Sequence, residues 1–267
     1  MLILIRGAGD LATGIACRLM RSGFSVVMTE TLRPTTVRCT VAFSPAVYRQ
    51  RALVEGLEAR LALSAEDVPS LTRQGYAAVL VDPELACLPL LRPAGIVDAV
   101  VAKRNLGTHM ADAPAVVGVG PGFTAGADCH AAVETQRGHD LGRVLYTGSP
   151  APNTGIPGEI GGATTERLLR APAGGLFTPA ASIGDLVETG QTVGYVGEQP
   201  MTAQIPGVLR GLLPEGTPVH PGMKAGDVDP RCRAEHCFSV SDKAQAVGGG
   251  VLEALLCVLS RKGLLAF

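Results

Sequence analysis

Residues 2–30, LILIRGAGDLATGIACRLMRSGFSVVMTE, decide the fold. Leu2 to Ile5 form an unbroken apolar run, the pattern of a strand buried on both faces of a parallel sheet. Gly7, Gly9 and Ala12 follow at once. Ile15, Ala16, Leu19 and Met20 then recur at helical spacing, Gly23 stops the helix, and a second apolar run spans Val26 to Met28. Strand, glycine turn, helix, strand is the order of a dinucleotide-binding unit. In such a unit Gly7 permits the tight turn, Gly9 lets the backbone approach a pyrophosphate, and Ala12 lets the helix pack close to the sheet. Glu30 stands 23 positions after Gly7, near where an acidic residue holds a ribose hydroxyl. The same glycines also suit a turn that binds no nucleotide, so the motif alone leaves both readings open. Arg33 and Arg38 are either partners of an extra phosphate, favouring NADP over NAD, or solvated loop cations.

Outward from this unit, apolar runs at 77–81, 96–102 and 115–119 predict further buried strands. Apolar spacing predicts helices over 46–62 and 67–74, and a short strand over 40–43. The expected fold class is α/β, with a Rossmann-like doubly wound parallel sheet over residues 1–125. Ligands of such sheets sit beyond the carboxyl ends of the strands. That rule gathers residues 7–10, Asp82, Lys103, Arg104, Asn105 and the glycine-rich turn 120–126 at one edge. Two such turns would enclose an anion on backbone N–H groups, with Lys103 and Arg104 as counter-charges or as solvated loop cations.

Composition excludes several functions. A formal net charge of −1 gives no general attraction to nucleic acid, and 4% aromatic residues without Trp supply no base-stacking surface. No apolar run approaches the roughly 18 to 20 residues that span a bilayer. The start of the chain carries no basic n-region, so a cytoplasmic protein is expected. The cysteines, at 17, 39, 87, 129, 232, 237 and 257, are scattered and odd in number, as expected of free thiols in a reducing compartment. Cys232, His236 and Cys237 cluster but lack a fourth ligand, so no metal is expected.

Residues 126–137 predict a helix on which His130 and Glu134 share a face, as an acid–base pair, as two metal ligands or as an ordinary surface pair. Cys129 beside them is a candidate nucleophile with no sign of a lowered pKa. The Gly/Pro-rich stretch 138–163, including Asn153, reads as a functional loop. Residues 126–166 are therefore expected to be a helix and a ligand-wrapping loop.

The second half repeats itself. Residues 171–196 align with 203–228 at a shift of 32, matching Gly175 to Gly207, Gly184 to Gly216, Val187 to Val219 and Gly190 to Gly222. Two half-sized copies of short strands must close on each other to bury their apolar faces. Residues 167–232 resemble the barrel-sandwich hybrid of biotinyl and lipoyl domains, with the turn Gly184-Asp185-Leu186-Val187-Glu188-Thr189-Gly190. The hairpin between the copies has no lysine, which disfavours a swinging-arm carrier. Residues 233–267 predict a helix packing back on the first domain. Gly248 to Gly250 interrupt it, and a helix starting near Gly250 would aim its N-terminus at a ligand.

Several segments, read in order, carry a family resemblance: RGAGDLATG, VDAVVAKRNLGT, GVGPGFTAGADCHAAVETQRGHDLGRV, PNTGIPGEIGG, GDVDPR and SDKAQAVGGGVLEA. Together they resemble the YqeB family, accessory proteins of selenium-dependent molybdenum hydroxylases. The resemblance implies a maturation factor that handles the molybdenum cofactor or its selenium, with an apo-hydroxylase as partner. It carries over motif positions only: Gly7, Gly9, Asp10, Lys103, Asn105, Gly120, Gly122, His130, Glu134, Arg137, Asn153, Gly158, Asp227, Asp229, Arg231, Lys243 and Gly248 to Gly250. Cys129 lies outside the motif, and Cys237 is the better thiol for sulfur or selenium chemistry. The catalytic candidates are thus Lys103, His130, Glu134 and Cys237, in a transferase or cofactor-modifying role. The cofactor-binding candidates are Gly7, Gly9, Asp10, Ala12, Glu30, Arg104, Asn105, Gly120, Gly122, Asn153, Lys243 and Gly248. The alternative is an NAD(P)-dependent oxidoreductase resting on Gly7, Gly9, Ala12 and Glu30. Against it, Tyr48 and Tyr76 have no lysine at useful spacing. A structural scaffold is the third reading. Expected partners are a small-molecule cofactor and a second copy of the chain, with no nucleic acid and no membrane.

Overall fold

The opening apolar run becomes β1 (Leu2–Arg6), in the middle of a nine-stranded sheet, in a computed structural model that describes residues 1–265. Ile3 and Ile5 enter one apolar core and Leu4 enters another, because successive strand side chains leave on opposite faces of a sheet covered on both sides. The glycine turn leads into α1 (Asp10–Arg21) and then β2 (Ser25–Glu30). Next come α2 (Ala46–Arg49), β3 (Arg51–Val54), β4 (Leu57–Ala62), α3 (Val68–Arg73) and β5 (Ala77–Val81). They are followed by α4 (Leu88–Leu91), β6 (Gly95–Asp98), β7 (Ala115–Val119), β8 (Ala131–Val133) and β9 (Val144–Leu145).

The strand order is β3-β4-β5-β2-β1-β6-β7-β8-β9. Neighbours from β4 to β8 pair in parallel, and β3 and β9 are antiparallel edges. From β1 the chain passes to β2, runs out to the β3–β4 hairpin at the edge, comes back to lay β5 between β4 and β2, and then crosses to the other side of β1 and winds outward through β6, β7 and β8. The order therefore reverses between β1 and β6.

Three expectations are corrected. The stretch 46–62 is a single helical turn followed by a β3–β4 hairpin. Its apolar residues do recur at helical spacing, but Glu55 and Gly56 both adopt positive φ, the geometry of a two-residue hairpin turn. Residues 126–137 hold a strand, not a helix, so β8 and β9 extend the sheet and this unit runs on to Thr154. Residues 39–41 form a 3-10 turn where a strand was expected.

The sheet unit is completed by the C-terminal segment, which holds the helix Asp242–Arg261. Ser241 caps this helix, its hydroxyl accepting from the Ala244 N–H at 3.2 Å. Gly248 to Gly250 lie inside it and do not begin it. A Cβ on Gly14 of α1 would lie 2.7 Å from the Ala244 Cβ, and one on Gly248 would lie 3.2 Å from the Gly14 carbonyl oxygen. Small residues thus let the two helices touch. By length and composition the C-terminal helix could cross a membrane. Its apolar residues Val247, Val251, Leu255 and Leu259 are instead buried in the core shared with the sheet.

The second unit holds residues Thr35–Val41 and Gly155–Ser239. Its strands are β10 (Leu168–Arg170), β11 (Gly175–Pro179), β12 (Leu186–Val187), β13 (Thr192–Val196), β14 (Gln199–Thr202), β15 (Gly207–Leu212), β16 (Pro218–Val219) and β17 (Lys224–Asp229). The C-terminal helix, later in the chain, is α5. The strands form two four-stranded sheets, β10-β17-β15-β12 and β14-β13-β11-β16. At the repeat shift, β11 maps to β15, β12 to β16 and β13 to β17. Each copy gives its middle strand to the sheet of the other: β12 pairs with β15, and β16 with β11. The pairs Gly175–Val219 and Val187–Gly207 are the same contact under the repeat. Phe177, Val187, Val193, Leu209, Val219 and Val228 fill the space between the sheets.

Candidate functional site

The carboxyl edge of the parallel sheet collects the polar residues of the first unit. Gly7 has φ +97°, a conformation that favours glycine, and a Cβ there would lie 3.2 Å from the Ala99 carbonyl oxygen. Glu30 closes on this turn. One carboxylate oxygen accepts from the Ala8 N–H at 3.1 Å and the other from the Thr31 N–H at 2.8 Å.

The second glycine turn presses on the same downstream segment. Gly122 has φ +107°, and a Cβ there would lie 2.6 Å from the Arg104 backbone nitrogen. The backbone of residues 99–104 is therefore held between Gly7 at one end and Gly122 at the other. Val101 and Lys103 within it adopt φ +56° and +65°. A β-branched residue at positive φ costs about 1–3 kcal/mol and persists only where its surroundings impose it. The side chains of Lys103 and Arg104 are exposed.

Residues 120–126 do not form the open backbone cradle the sequence suggested. The N–H groups of Gly120, Ala125 and Gly126 bond to the carbonyls of Val133, Gly148 and Cys129, and that of Thr124 bonds to the Asp128 carboxylate. Asn105 is likewise spent within its own loop. Its side chain accepts from the N–H groups of Gly107 and Thr108 and donates to the Thr108 carbonyl.

Beneath these loops lies a polar network that the sequence reading missed. Arg6, at the end of β1, is buried and donates to Asp98 at 3.4 Å, Thr108 Oγ1 at 3.1 Å, and the carbonyls of Leu106 and Pro83. Thr108 also donates to Asp98, at 2.6 Å. The network fills the β1–β6 switch point and fixes the loops after β5 and β6. The only sequence signal was a charged residue closing each of two apolar runs.

A second charged group forms where α1, α5 and the end of β8 meet. Glu134 is buried and accepts from the N–H groups of Thr135, Gln136 and Ala151 at 2.6, 2.6 and 2.7 Å. Arg137 pairs with both oxygens of Asp242, at 2.6 and 2.9 Å. Lys243, in the first turn of α5, is half-buried within reach of the charges of Arg137, Asp10, Glu134 and Asp242. Burial lowers its pKa and Arg137 lowers it further, against the opposing pull of Asp10, Glu134 and Asp242. A lysine so placed can hold an anion as a point charge.

Other candidates are dispersed. His130 and Glu134 lie at opposite ends of β8, roughly 13 Å apart at strand rise, too far for an acid–base pair. His130 Nδ1 accepts from the Val116 N–H at 3.0 Å, and Nε2 lies 2.8 Å from the Lys262 amine. Burial first and Lys262 second lower the His130 pKa below its ordinary 6.5. The unfolded chain therefore takes up this proton more readily, and stability should fall as pH drops below 6.5. His130→Asn, which keeps an acceptor for Val116, is expected to flatten that slope in urea titrations between pH 7 and 5.

Cys129 is buried, with its pKa pushed up to about 11, chiefly by burial. Cys237 belongs to the second unit, is fully buried, and is also pushed up by burial, which leaves it a poor nucleophile at neutral pH. Asn153 is exposed in its loop, and Gly248 sits at the α1–α5 crossing, where close packing explains it. Ala12 is buried in α1 against the sheet. Among the described residues, no three His, Cys, Asp or Glu side chains converge as metal ligands.

The fold and site define an α/β protein with a mostly parallel nine-stranded sheet and charged residues at its carboxyl edge, carrying an all-β unit in the same chain. No family model matches the sequence. Over 258 residues, 97% of its length, the chain is 50% identical to the uncharacterized protein YqeB of Escherichia coli strain K12, which supports kinship with the YqeB family. The chain spans about half of that relative, 48% of its length. Among solved structures, an aspartoacylase family protein of Mesorhizobium loti aligns at 14% identity, covering 87% of this chain and 86% of that one, with a TM-score of 0.28. A succinylglutamate desuccinylase/aspartoacylase of Rhodobacter sphaeroides aligns at 15% identity over 85% and 86%, with a TM-score of 0.25. Similarity at those scores carries no argument about chemistry.

Proposed function

We propose that the chain is a cofactor-handling protein of the YqeB family, binding an anionic nucleotide-type cofactor at the carboxyl edge of its sheet. One observation carries the reading. Lys243 is drawn out of bulk water into a group with Asp10, Glu134 and Arg137, and Asp10 opens the helix that follows the Gly7–Gly9 turn. Six of the seven parallel strands, β5-β2-β1-β6-β7-β8, stand in the order 3-2-1-4-5-6 and support a Rossmann-type unit, with β4 an added parallel strand outside β5. The strand exchange of the second unit likewise supports a barrel-sandwich hybrid, serving as a docking element because its hairpin has no lysine. The family resemblance is what supports a molybdenum cofactor as the ligand and an apo-hydroxylase as the recipient. In this role Lys243 holds a phosphate, the Gly9 turn admits it, and Glu30 orients a ribose. Lys103 and Arg104 lie exposed after β6 as additional counter-charges.

Calorimetry of the full chain with molybdenum cofactor dinucleotide, NADPH and NADH tests this. Micromolar binding of the first is expected. Lys243→Met should weaken it about 10- to 100-fold, the worth of one charged contact, with the far-ultraviolet circular dichroism unchanged. If none of the three ligands binds, the proposal fails. If only NADPH binds and a carbonyl substrate turns over, the oxidoreductase reading replaces it.

A further inference from the structure

Arg210 is the most anomalous side chain of the second unit. It stands on β15 and is 5% exposed. A guanidinium stays charged in proteins and carries five N–H donors, so burial demands partners. Among the described residues its one ion pair is a long contact to Asp229, at 3.5 Å, and its buried Nε has no hydrogen-bond partner. Asp229 is already committed. Arg231 holds it with Nε at 2.9 Å, Nη2 at 2.7 Å and its backbone N–H at 3.1 Å. Asp227, the other buried carboxylate on β17, is held by Arg167. The surroundings add more positive charge. Arg38, 7% exposed, lies close enough for its charge to act on Arg210 and donates to the carbonyls of His236 and Ser239. His236 Nδ1 is a further buried polar atom without a partner among the described residues. The Cys237 thiol closes this corner, donating to the Leu209 carbonyl one residue before Arg210.

We infer that Arg210 and Arg38, with His236 beside them, form a buried binding site for one small tetrahedral oxyanion of the phosphate or sulfate class. A planar guanidinium with unused donors matches the oxygens of such an anion, and the two aspartates cannot, because arginines already occupy them. With Arg210 and Arg38 only 5% and 7% exposed, the site suits a small free oxyanion better than the ester of a bulky nucleoside. Arg38, Arg210 and His236 all belong to the second unit, and the assignment does not depend on the function proposed for the sheet edge.

Equilibrium dialysis of the full chain against radiolabelled phosphate, at constant ionic strength in chloride, tests the assignment. Saturable uptake of one phosphate per chain is expected, displaced by sulfate and not by AMP. At 100 times its Kd, phosphate should raise the melting temperature by roughly 5 to 10 °C over chloride. Arg210→Met should weaken uptake at least 10-fold, and Lys243→Met should leave it intact. Absence of saturable uptake by the unmodified protein overturns the site, however the variants fold. Uptake that survives Arg210→Met but is lost in Lys243→Met also overturns it, because the anion then belongs to the sheet edge. AMP binding as tightly as phosphate contradicts a site for a small free oxyanion.

Discussion

Asp98→Ala is expected to destabilise the sheet unit by about 3–5 kcal/mol, the usual loss when one partner of a buried ion pair is removed. Arg6 and Asp98 are 8% and 2% exposed, so neither charge can turn to water. Without Asp98, Arg6 keeps Thr108 and the carbonyls of Leu106 and Pro83, which are neutral. Thr108 loses its 2.6 Å acceptor at the same time. Asp98→Asn keeps an acceptor for Thr108 and should cost less than Asp98→Ala. The double variant Arg6→Met with Asp98→Ala should recover much of the loss, because no buried charge is left unpaired. Urea unfolding followed by circular dichroism reads the midpoint, since the chain has no tryptophan. If Asp98→Ala and the double variant prove equally stable, the pair is not the anchor described.

Adjacent glycines of α5 should respond to alanine with opposite signs. Gly249 has nothing within 4 Å of where a Cβ would lie, so Gly249→Ala should stabilise by about 0.5–1 kcal/mol, the helix-propensity difference. At Gly250 a Cβ would lie 2.2 Å from the Gly142 carbonyl oxygen and 3.0 Å from a Val133 methyl. The methyl can turn, but the carbonyl belongs to a backbone pinned by hydrogen bonds, with the Gly142 N–H on the Glu134 carbonyl and the Arg143 carbonyl accepting from the Glu134 N–H. Overpacking of this kind costs about 1–3 kcal/mol and exceeds the propensity gain. Gly250→Ala should therefore destabilise and Gly249→Ala stabilise. Thermal melts of the two variants decide the matter, and a shared sign would refute the packing account.

The parts of the fold legible in the sequence are those where one local rule acts alone. The run Leu2 to Ile5, the turn at Gly7 and the spacing from Ile15 to Met20 all point to β1–α1–β2. The repeat gave the strands of the second unit because glycines recur wherever its turns need them. Misreadings arose where two rules competed. Val47, Leu53, Leu57 and Leu61 satisfy a helical period, yet Glu55-Gly56 makes a hairpin turn without the usual Asn-Gly signal. His130 and Glu134 are four apart, which places them on one face of a helix but at the two ends of a short strand. Gly248 to Gly250 look like a helix break until α1 and the Gly142 loop are seen packed against them. At the candidate site, Asp10, Glu134 and Lys243 are positions that the family resemblance names, whereas Arg6, Asp98 and Thr108 were hidden. Their importance comes from strand order, which no local window contains.

The exchange of β12 and β16 has a meaning beyond stability. Half of the second unit, one copy from β11 to β13, cannot complete either sheet by itself, because its middle strand belongs in the other copy's sheet. A gene encoding one copy would therefore have to make a protein that closes with its own twin. The axis relating the copies within this chain is where the symmetry axis of that twin pair would have run. Within one chain the two copies need not match each other, so a residue such as Arg210 can stand on one side alone. Its repeat counterpart, 32 positions earlier, is Thr178.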